Sequence, residues 1–364
     1  MECIVIASLI SFFSTLLIMP FVIKLAIKKR ILAGGGGRNA HNGFTPNIGG
    51  IAIVVGLLLS NLFFVAYFLE QNILFFEDLN SPLPIRRYLI ITGGGVLLFI
   101  VGLADDLTSL SSRFRFIIQL IISATLVIFG DVRIESFYEI FGIGQLPYWL
   151  SIFFSIVVVI FIINSFNLTD GLDTLATSLG VFILSAFAII FYLNNNMYDC
   201  ILACVGISSL LAFWFYNRPP AKIFMGDSGS LVIGFIIAYC SIRVCNMPID
   251  AEDTINPVFV LCILAYPSVD TLRVFVVRIL AGKSPFAADR NHIHHLLVDK
   301  DFNHGWASFF AVMYSAILTG ICYLIRDYST LSFFVMVFTA ILFIVLPMAS
   351  FARSTTSRIL SLFR

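Results

Sequence analysis

The chain has 364 residues, of which 59% are hydrophobic and 12% charged, and its formal net charge is +1. Soluble globular domains carry about 25% charged residues, so this composition excludes a soluble protein. The near-neutral charge gives no reason to expect a nucleic-acid partner. The seven cysteines are scattered singly, almost all in apolar runs, and form no CxxC pair. This pattern supports neither a disulfide framework nor a zinc site.

Eleven apolar runs are long enough to be membrane helices, because one crossing needs about 20 residues. They fall at about 3–23, 46–69, 88–104, 114–130, 148–166, 174–193, 199–216, 228–246, 256–277, 307–325 and 330–349. The sequence therefore predicts an all-α integral membrane protein. We expect a single polytopic domain over residues 1–364 with about eleven transmembrane helices.

Basic residues indicate the orientation in the membrane. Lys24, Lys28, Lys29 and Arg30 follow the first apolar run directly, which is the reverse of a secretory signal peptide. With the N-terminus outside, 17 of the 22 Lys and Arg residues fall in inside segments. The positive-inside rule therefore predicts an external N-terminus and a cytoplasmic C-terminus.

With the N-terminus outside, the polar residues that could take part in catalysis or binding fall on the cytoplasmic side. Their loops lie near 24–45, 105–113, 164–173, 217–227 and 278–306, and we expect these loops to form the active site. A transporter would instead carry ionisable groups near the membrane midplane. The asymmetry favours an enzyme, and a nucleotide-sugar or lipid transporter is the alternative from another class.

The first motif is the pair Asp105-Asp106 at the end of the third apolar run. Two carboxylates at a helix C-terminus meet an unfavourable dipole. Such a pair needs a cation, a metal or a raised pKa. Arg113 and Arg115 follow closely and could supply positive charge. The alternative is a pair of solvated loop acids.

Two further motifs combine amide and carboxylate groups with glycine. The segment from Asn164 to Asp173 offers oxygen ligands for a hard cation, or hydrogen-bond partners for a nucleobase. The segment from Pro219 to Ser230 opens a helix whose N-terminus would favour phosphate, and Asp227 could hold the magnesium of that phosphate. The alternatives are an ordinary polar turn and a plain helix cap.

The last motif is the segment from Asp289 to His295, which contains His-Ile-His-His. Three neutral imidazoles could bind zinc, but neither a cysteine nor a second histidine group completes a site. With Arg278, Lys283 and Arg290 nearby, the segment favours phosphate recognition. A solvated basic loop is the alternative.

In this order, the four motifs resemble those of the polyprenyl-phosphate N-acetylhexosamine-1-phosphate transferases, the glycosyltransferase 4 family. The resemblance covers residues 38–300 by motif and the whole chain by topology. His-Ile-His-His resembles the bacterial branch that uses UDP-GlcNAc and undecaprenyl phosphate. The alternative is a phospho-MurNAc-pentapeptide translocase, which performs the same reaction on another substrate.

The resemblance implies transfer of N-acetylhexosamine 1-phosphate from a UDP-sugar to undecaprenyl phosphate, with release of UMP. It implies a Mg²⁺ cofactor, with Mn²⁺ as a substitute, and a role in starting a lipid-linked cell-surface glycan. It places the chain in the bacterial inner membrane, among membrane lipid, and leaves a homodimer open.

The resemblance also assigns roles residue by residue. As magnesium ligands it gives Asn167 and Asp227. At the lipid phosphate it gives Asp105, Asp106 and Arg115. On the uridine side it gives Asn164, Asp170, Asp173 and Phe224. As the clamp on the sugar and pyrophosphate it gives Arg278, Arg290, His292, His294 and His295.

The chemistry does not require a strong base. A phosphate monoester has a second pKa near 6, so the nucleophile is largely dianionic at neutral pH. The demanding task is to bring several phosphates together, which needs magnesium and cationic side chains. A covalent intermediate on Asp105 stays open, and direct displacement is the preferred interpretation.

Overall fold

A computed structural model describes residues 2–31, 45–70, 83–247, 257–280, 282, 292–300, 302–326 and 328–343. Within them the chain is a helical bundle with one small β-hairpin. The helices are α1 Glu2–Lys29, α2 Gly50–Glu70, α3 Leu83–Thr108, α4 Ser112–Ala124 with a π-helical turn Thr125–Phe129, α5 Tyr148–Asn167, α6 Leu175–Leu193, α7 Met197–Asn217, α8 Asp227–Cys245, α9 Pro257–Ile263, α10 Ala265–Leu280, α11 Ile293–Val298, α12 His304–Leu324 and α13 Ser329–Phe343.

The bundle has the helix lengths of a multi-pass membrane protein. In the described parts of the chain, nine helices are long and apolar enough to cross a membrane, and α9 with α10 would make a tenth span. These helices match the predicted apolar runs, and α13 lies where the eleventh run begins. The prediction of a polytopic helical protein is confirmed, whereas the count of eleven and the orientation stay predictions.

The prediction of one continuous helix over 256–277 is wrong. The segment breaks into α9 and α10, which are bent by 86° at Leu264. Pro267 has no N–H to donate to Ile263, and the N–H of Tyr266 donates instead to Ser315 Oγ of α12 at 3.1 Å. Two successive bonds of the helical ladder are therefore missing at the break, which allows the bend.

One helix forms the centre of the bundle. In the most apolar stretch of α8, 94% of the residues are buried inside the bundle. The helix packs against α3 on one side and α5 on another. Because neighbouring helices alternate in direction, the start of α8 meets the ends of α3 and α5. We call this end of the bundle the site face and the opposite end the far face.

The far face carries a two-stranded antiparallel hairpin that the all-α prediction did not include. Strand β1, Ser136–Ile140, pairs with β2, Ile143–Gln145. Phe141 in the turn packs edge-on against Phe333 of α13, with ring centroids 5.1 Å apart. The hairpin thus ties the α4–α5 connection to α13.

A buried ionic network joins α7 to α8 near the far face. Asp199 is 1% exposed, and its Oδ2 accepts hydrogen bonds from Arg243 Nε at 2.9 Å and from Asn196 Nδ2 at 2.7 Å. The hydroxyl of Tyr239 donates to Asp199 Oδ1 at 2.5 Å. The buried carboxylate is therefore neutralised by a cation and by further donors, as buried charges must be.

Candidate active site

Three charged side chains from three helices meet at the site face. Arg115 Nη1, in the first turn of α4, donates to Asp105 Oδ2 at 2.9 Å and also to Asp227 Oδ2. Asp105 lies in the last turn of α3 and Asp227 begins α8, so one guanidinium bridges two carboxylates. All three side chains are partly exposed. The cluster can therefore be reached by a ligand, and the structure brings these three predicted site residues together.

Asp106, which belongs to α3, caps the N-terminus of α8. The N-cap residue of α8 is Gly226, and no side chain of the α8 segment caps its first amides. Asp106 Oδ1 accepts from the N–H of Asp227 at 2.9 Å, and Oδ2 accepts from that of Ser228 at 3.0 Å. The alternative interpretation, that Asp227 or Ser228 caps its own helix, is wrong. Asp106 supplies the cap, and the Asp227 side chain is left for other partners.

Glycines let two helices touch the start of α8 by backbone contact. A Cβ atom built on Gly102 of α3 would lie 2.4 Å from the Asp227 carbonyl oxygen. One built on Gly50 at the start of α2 would lie 2.1 Å from the amide nitrogen of Gly229. Any larger residue at either position would displace the backbone, so these glycines fix where Asp227 stands.

Asn167 joins Asp227 from the end of α5. Its Nδ2 donates to Asp227 Oδ1 at 2.9 Å and to Ser230 Oγ at 2.7 Å. The structure therefore brings Asn167 and Asp227 together, while their role as magnesium ligands stays a prediction. Ser230 was not among the predicted site residues, although it lies one helical turn after Asp227 on the same face of α8.

Asn164 lies one turn before Asn167 and pairs with α4. Its Nδ2 donates to Gln119 Oε1 at 2.7 Å, and Gln119 Nε2 lies 3.5 Å from Asn164 Oδ1. Gln119 is 3% exposed and lies four residues after Arg115. That spacing is the sequence signal that could have identified Gln119. The pairing fixes α4, and with it Arg115, against α5.

The carboxylates between α5 and α6 bind backbone rather than one another. Asp170 Oδ2 accepts from the N–H of Gly226 at 2.8 Å, and burial raises the pKa of the Asp170 carboxyl well above its usual range. Asp173 is fully buried, and its Oδ2 accepts from the N–H of Ala221 at 3.2 Å. Both carboxylates therefore hold this loop to the α7–α8 connection.

Phe224 lies in an extended segment that pairs with residues 45–50. Its N–H donates to the carbonyl of Pro46 at 2.8 Å, and its own carbonyl accepts from Gly49 at 2.9 Å. The residue is 6% exposed. The structure thus places Phe224 two residues before the Gly226 turn, beside the entrance to α8.

The three predicted histidines cluster around a carboxylate that was not predicted. His292 Nδ1 lies 2.8 Å from Asp270 Oδ2 of α10, and the ring centroids of His294 and His295 are 4.5 Å apart. Arg278 is buried on α10, eight residues after Asp270. Arg290 lies outside the described residues. The sequence predicts a membrane helix over 256–277, so Asp270 was not assigned to the same site as the histidines.

The donor set beside Arg115 suits a hard divalent cation. Asp105 and Asp227 offer carboxylate oxygens and Asn167 an amide group, which are the ligand types that Mg²⁺ takes in proteins. Arg115 bonds to both carboxylates, so the structure already places positive charge between them. The residues present therefore fit the predicted magnesium site.

Comparison with known proteins gives one family. The model of glycosyl transferase family 4 matches residues 88–245. The probable undecaprenyl-phosphate N-acetylglucosaminyl 1-phosphate transferase of Bacillus subtilis (strain 168) is 33% identical over 306 residues, which is 83% of this chain and 79% of that protein.

Two enterobacterial proteins named undecaprenyl-phosphate alpha-N-acetylglucosaminyl 1-phosphate transferase are also similar. The Escherichia coli (strain K12) protein is 28% identical over 319 residues, covering 85% of this chain and 80% of its own length. The Yersinia pestis protein is 28% identical over 305 residues, covering 81% and 77%. With similarity over most of each sequence, and the motif residues Asp105, Asn167 and Asp227 brought to one site, the chain belongs to glycosyl transferase family 4.

Proposed function

We propose that the chain transfers GlcNAc 1-phosphate from UDP-GlcNAc to undecaprenyl phosphate and releases UMP. The observation that carries this proposal is the cluster of Asp105, Arg115, Asn167 and Asp227 at the site face. It offers both oxygen ligands and a fixed cation, which a reaction between phosphates requires. The names of the similar proteins support the same donor and acceptor.

The reaction is a displacement at phosphorus. An oxygen of the lipid phosphate attacks the phosphorus that bears the sugar, and the bond from that phosphorus to the bridging oxygen of UMP breaks. The nucleophile is largely dianionic at neutral pH, so no side chain has to remove a proton first. Asp105 orients the acceptor phosphate, and Arg115 offsets its charge. A direct displacement needs no covalent intermediate.

Asn167 and Asp227 would hold Mg²⁺ in this site. When bound, the ion would neutralise phosphate charge and polarise the phosphoryl oxygens. Both ligands project from helix ends that the bundle fixes, since Asn167 bonds to Ser230 and the start of α8 is capped by Asp106. We therefore assign Asp106 to the positioning of Asp227 and not to contact with substrate.

The UDP-sugar would lie between the Asp170 loop, Phe224 and the histidines. Asp170 is bonded to Gly226, and Asp173 is fully buried. We therefore propose that both carboxylates hold the backbone around the uridine in place, while Phe224 supplies an aromatic ring for uracil. His294 and His295 of α11 face the same loop, and we assign them, with His292, to the sugar side.

We further propose that the site face is cytoplasmic. The predicted excess of Lys and Arg on that side supports an external N-terminus. We also propose a bacterial inner-membrane location and eleven crossings, with α13 as the last. This orientation would put the histidines and Asp227 in contact with the cytoplasmic pool of UDP-sugars.

The test is a transfer assay with the purified protein, undecaprenyl phosphate, Mg²⁺ and labelled UDP-GlcNAc. We expect UMP release and lipid-extractable label, and loss of both when a chelator is added. In competition, UDP-GlcNAc should be used in preference to UDP-MurNAc-pentapeptide. Transfer from the peptide-bearing donor would identify the translocase, and the absence of either product would favour a transporter.

Asp227→Ala should lower turnover at least about 100-fold because it removes a carboxylate from the charge cluster. The matched control is Asp131→Ala, a half-buried carboxylate at the far face whose bonded partner is Arg133. The control should retain turnover. Full activity of Asp227→Ala at saturating Mg²⁺ would contradict the assignment of Asp227.

A further inference from the structure

Asp270 is a buried carboxylate that fixes the start of α11. It is 2% exposed, and its Oδ1 accepts from the N–H of Ile293 at 2.8 Å. The N-cap residue of α11 is His292, and no side chain of that segment caps the helix. Because Asp270 Oδ2 lies 2.8 Å from His292 Nδ1, one carboxylate binds both the backbone and the ring of the histidine segment.

This geometry determines which nitrogen of His292 carries a proton. A carboxylate can only accept, so His292 Nδ1 must donate its hydrogen to Asp270. His294 is turned the same way: its Nδ1 lies 3.6 Å from the same oxygen and 3.4 Å from the Tyr266 hydroxyl. The two rings are stacked, with centroids 5.3 Å apart and planes at 19°. Burial lowers the pKa of His294, which favours the neutral form of this ring.

The opposite edge of the cluster faces the loop between α5 and α6. His294 Nε2 is buried and has no hydrogen-bond partner among the described residues. A Cβ built on Gly171 would lie 2.9 Å from His294 Nε2 and 3.4 Å from His295 Nε2. Gly171 follows Asp170, which is bonded to the turn before α8. The histidine edges are thus directed toward the loop that leads to the charge cluster.

We propose that Asp270 is a positioning residue for recognition of the donor sugar. It holds His292 with the proton on Nδ1, so that Nε2 of this ring is an acceptor for a hydroxyl or an amide N–H, and His294 stacks on His292 in the same orientation. An N-acetylhexosamine carries both kinds of donor. This inference rests on the proposed function, because it names how the same site recognises its UDP-sugar.

The direct test is the protonation of the histidine rings. ¹⁵N spectra of the full chain in lipid, with ¹⁵N-labelled histidine, should show His292 with its proton on Nδ1, the signal being assigned by its loss in His292→Gln. In Asp270→Asn the amide cannot accept from both Ile293 and His292, so the proton should move to Nε2. Asp131→Asn, which alters a half-buried carboxylate at the far face, should leave the spectrum unchanged.

The kinetic test separates positioning from a general loss of structure. Asp270→Asn should raise the KM for UDP-GlcNAc roughly ten-fold, the loss expected for about one hydrogen bond. The KM for undecaprenyl phosphate and the elution volume on size exclusion should not change. Asp270→Glu, which keeps two acceptor oxygens, should recover part of the donor affinity.

Three results would overturn the proposal. The first is an unchanged tautomer in Asp270→Asn, and the second is an equal rise in KM for donor and acceptor. The third is stoichiometric Zn²⁺ binding that Asp270→Asn abolishes, since Asp270, His292 and His294 could also form a metal site. If the wild type transfers nothing from UDP-GlcNAc, the proposed function fails, while the ¹⁵N spectra still decide the role of Asp270.

Discussion

Replacing Gly102 by alanine tests whether backbone contact between α3 and α8 sets the position of Asp227. The new Cβ would lie 2.4 Å from the Asp227 carbonyl oxygen, and ordinary contact begins at 3.4 Å. The start of α8 would therefore have to move by about 1 Å, a displacement that can cost about 100-fold in rate. Forcing a methyl group into a packed contact costs about 1–3 kcal/mol of stability. We expect Gly102→Ala to lose about two orders of magnitude in kcat and to unfold at a lower temperature.

The matched control lies on the same helix. A Cβ on Gly93 would have no heavy atom within 4 Å, and alanine is favoured over glycine in a helix by about 1 kcal/mol. Gly93→Ala should therefore keep full activity and an equal or higher unfolding temperature. UMP release measures activity. A thiol-reactive dye measures unfolding, since Cys204 is half-buried and the other six free cysteines are buried. Wild-type turnover in Gly102→Ala would refute the reasoning.

Two further predictions concern backbone strain and orientation. Thr174 has φ +66°, a left-handed conformation that costs about 1–2 kcal/mol in residues other than glycine. Thr174→Gly relieves this strain but also removes the hydroxyl, so the free energy of unfolding should change by less than about 1 kcal/mol. Thr174→Val should destabilise the protein by about 1–3 kcal/mol, because it loses the hydroxyl bonds to Asp173 and Ser308; thermal unfolding compares the two. In intact cells, an impermeant maleimide should label Glu135→Cys and not Ser112→Cys, with the wild type as background. The opposite pattern would invert the topology.

The sequence was informative wherever polar residues interrupt apolar runs. Asp105, Asn167 and Asp227 each stand at the end of such a run, and ends on one side of a membrane must share a surface. Their shared face could therefore be predicted, whereas their contact depends on how the helices pack. Arg115 could be placed for the same reason, because only a short turn separates α3 from α4.

The supporting contacts could not be predicted, because they depend on which helices are neighbours. Asp106 was predicted as an active-site acid and Asp270 was not predicted as a site residue, yet each caps the start of another helix. The bend at Leu264 was also hidden, since hydropathy stays high across it. The missing N–H of Pro267 was the one local signal, and α12 had to supply the partner for Tyr266.

The ion pair of Asp199 and Arg243 has a consequence for how the protein enters the membrane. Inserted alone, α7 would carry an unpaired carboxylate and α8 an unpaired guanidinium near the far face, each at a cost below the roughly 2.5–3.5 kcal/mol of a charge at the centre of the membrane. Paired at 2.9 Å, the two charges cancel. The two helices are consecutive and antiparallel, so the translocon should release them together as a helical hairpin. A nascent chain that stops after α7 should therefore retain that helix less firmly than a chain that also contains α8, although α7 is apolar enough to cross on its own.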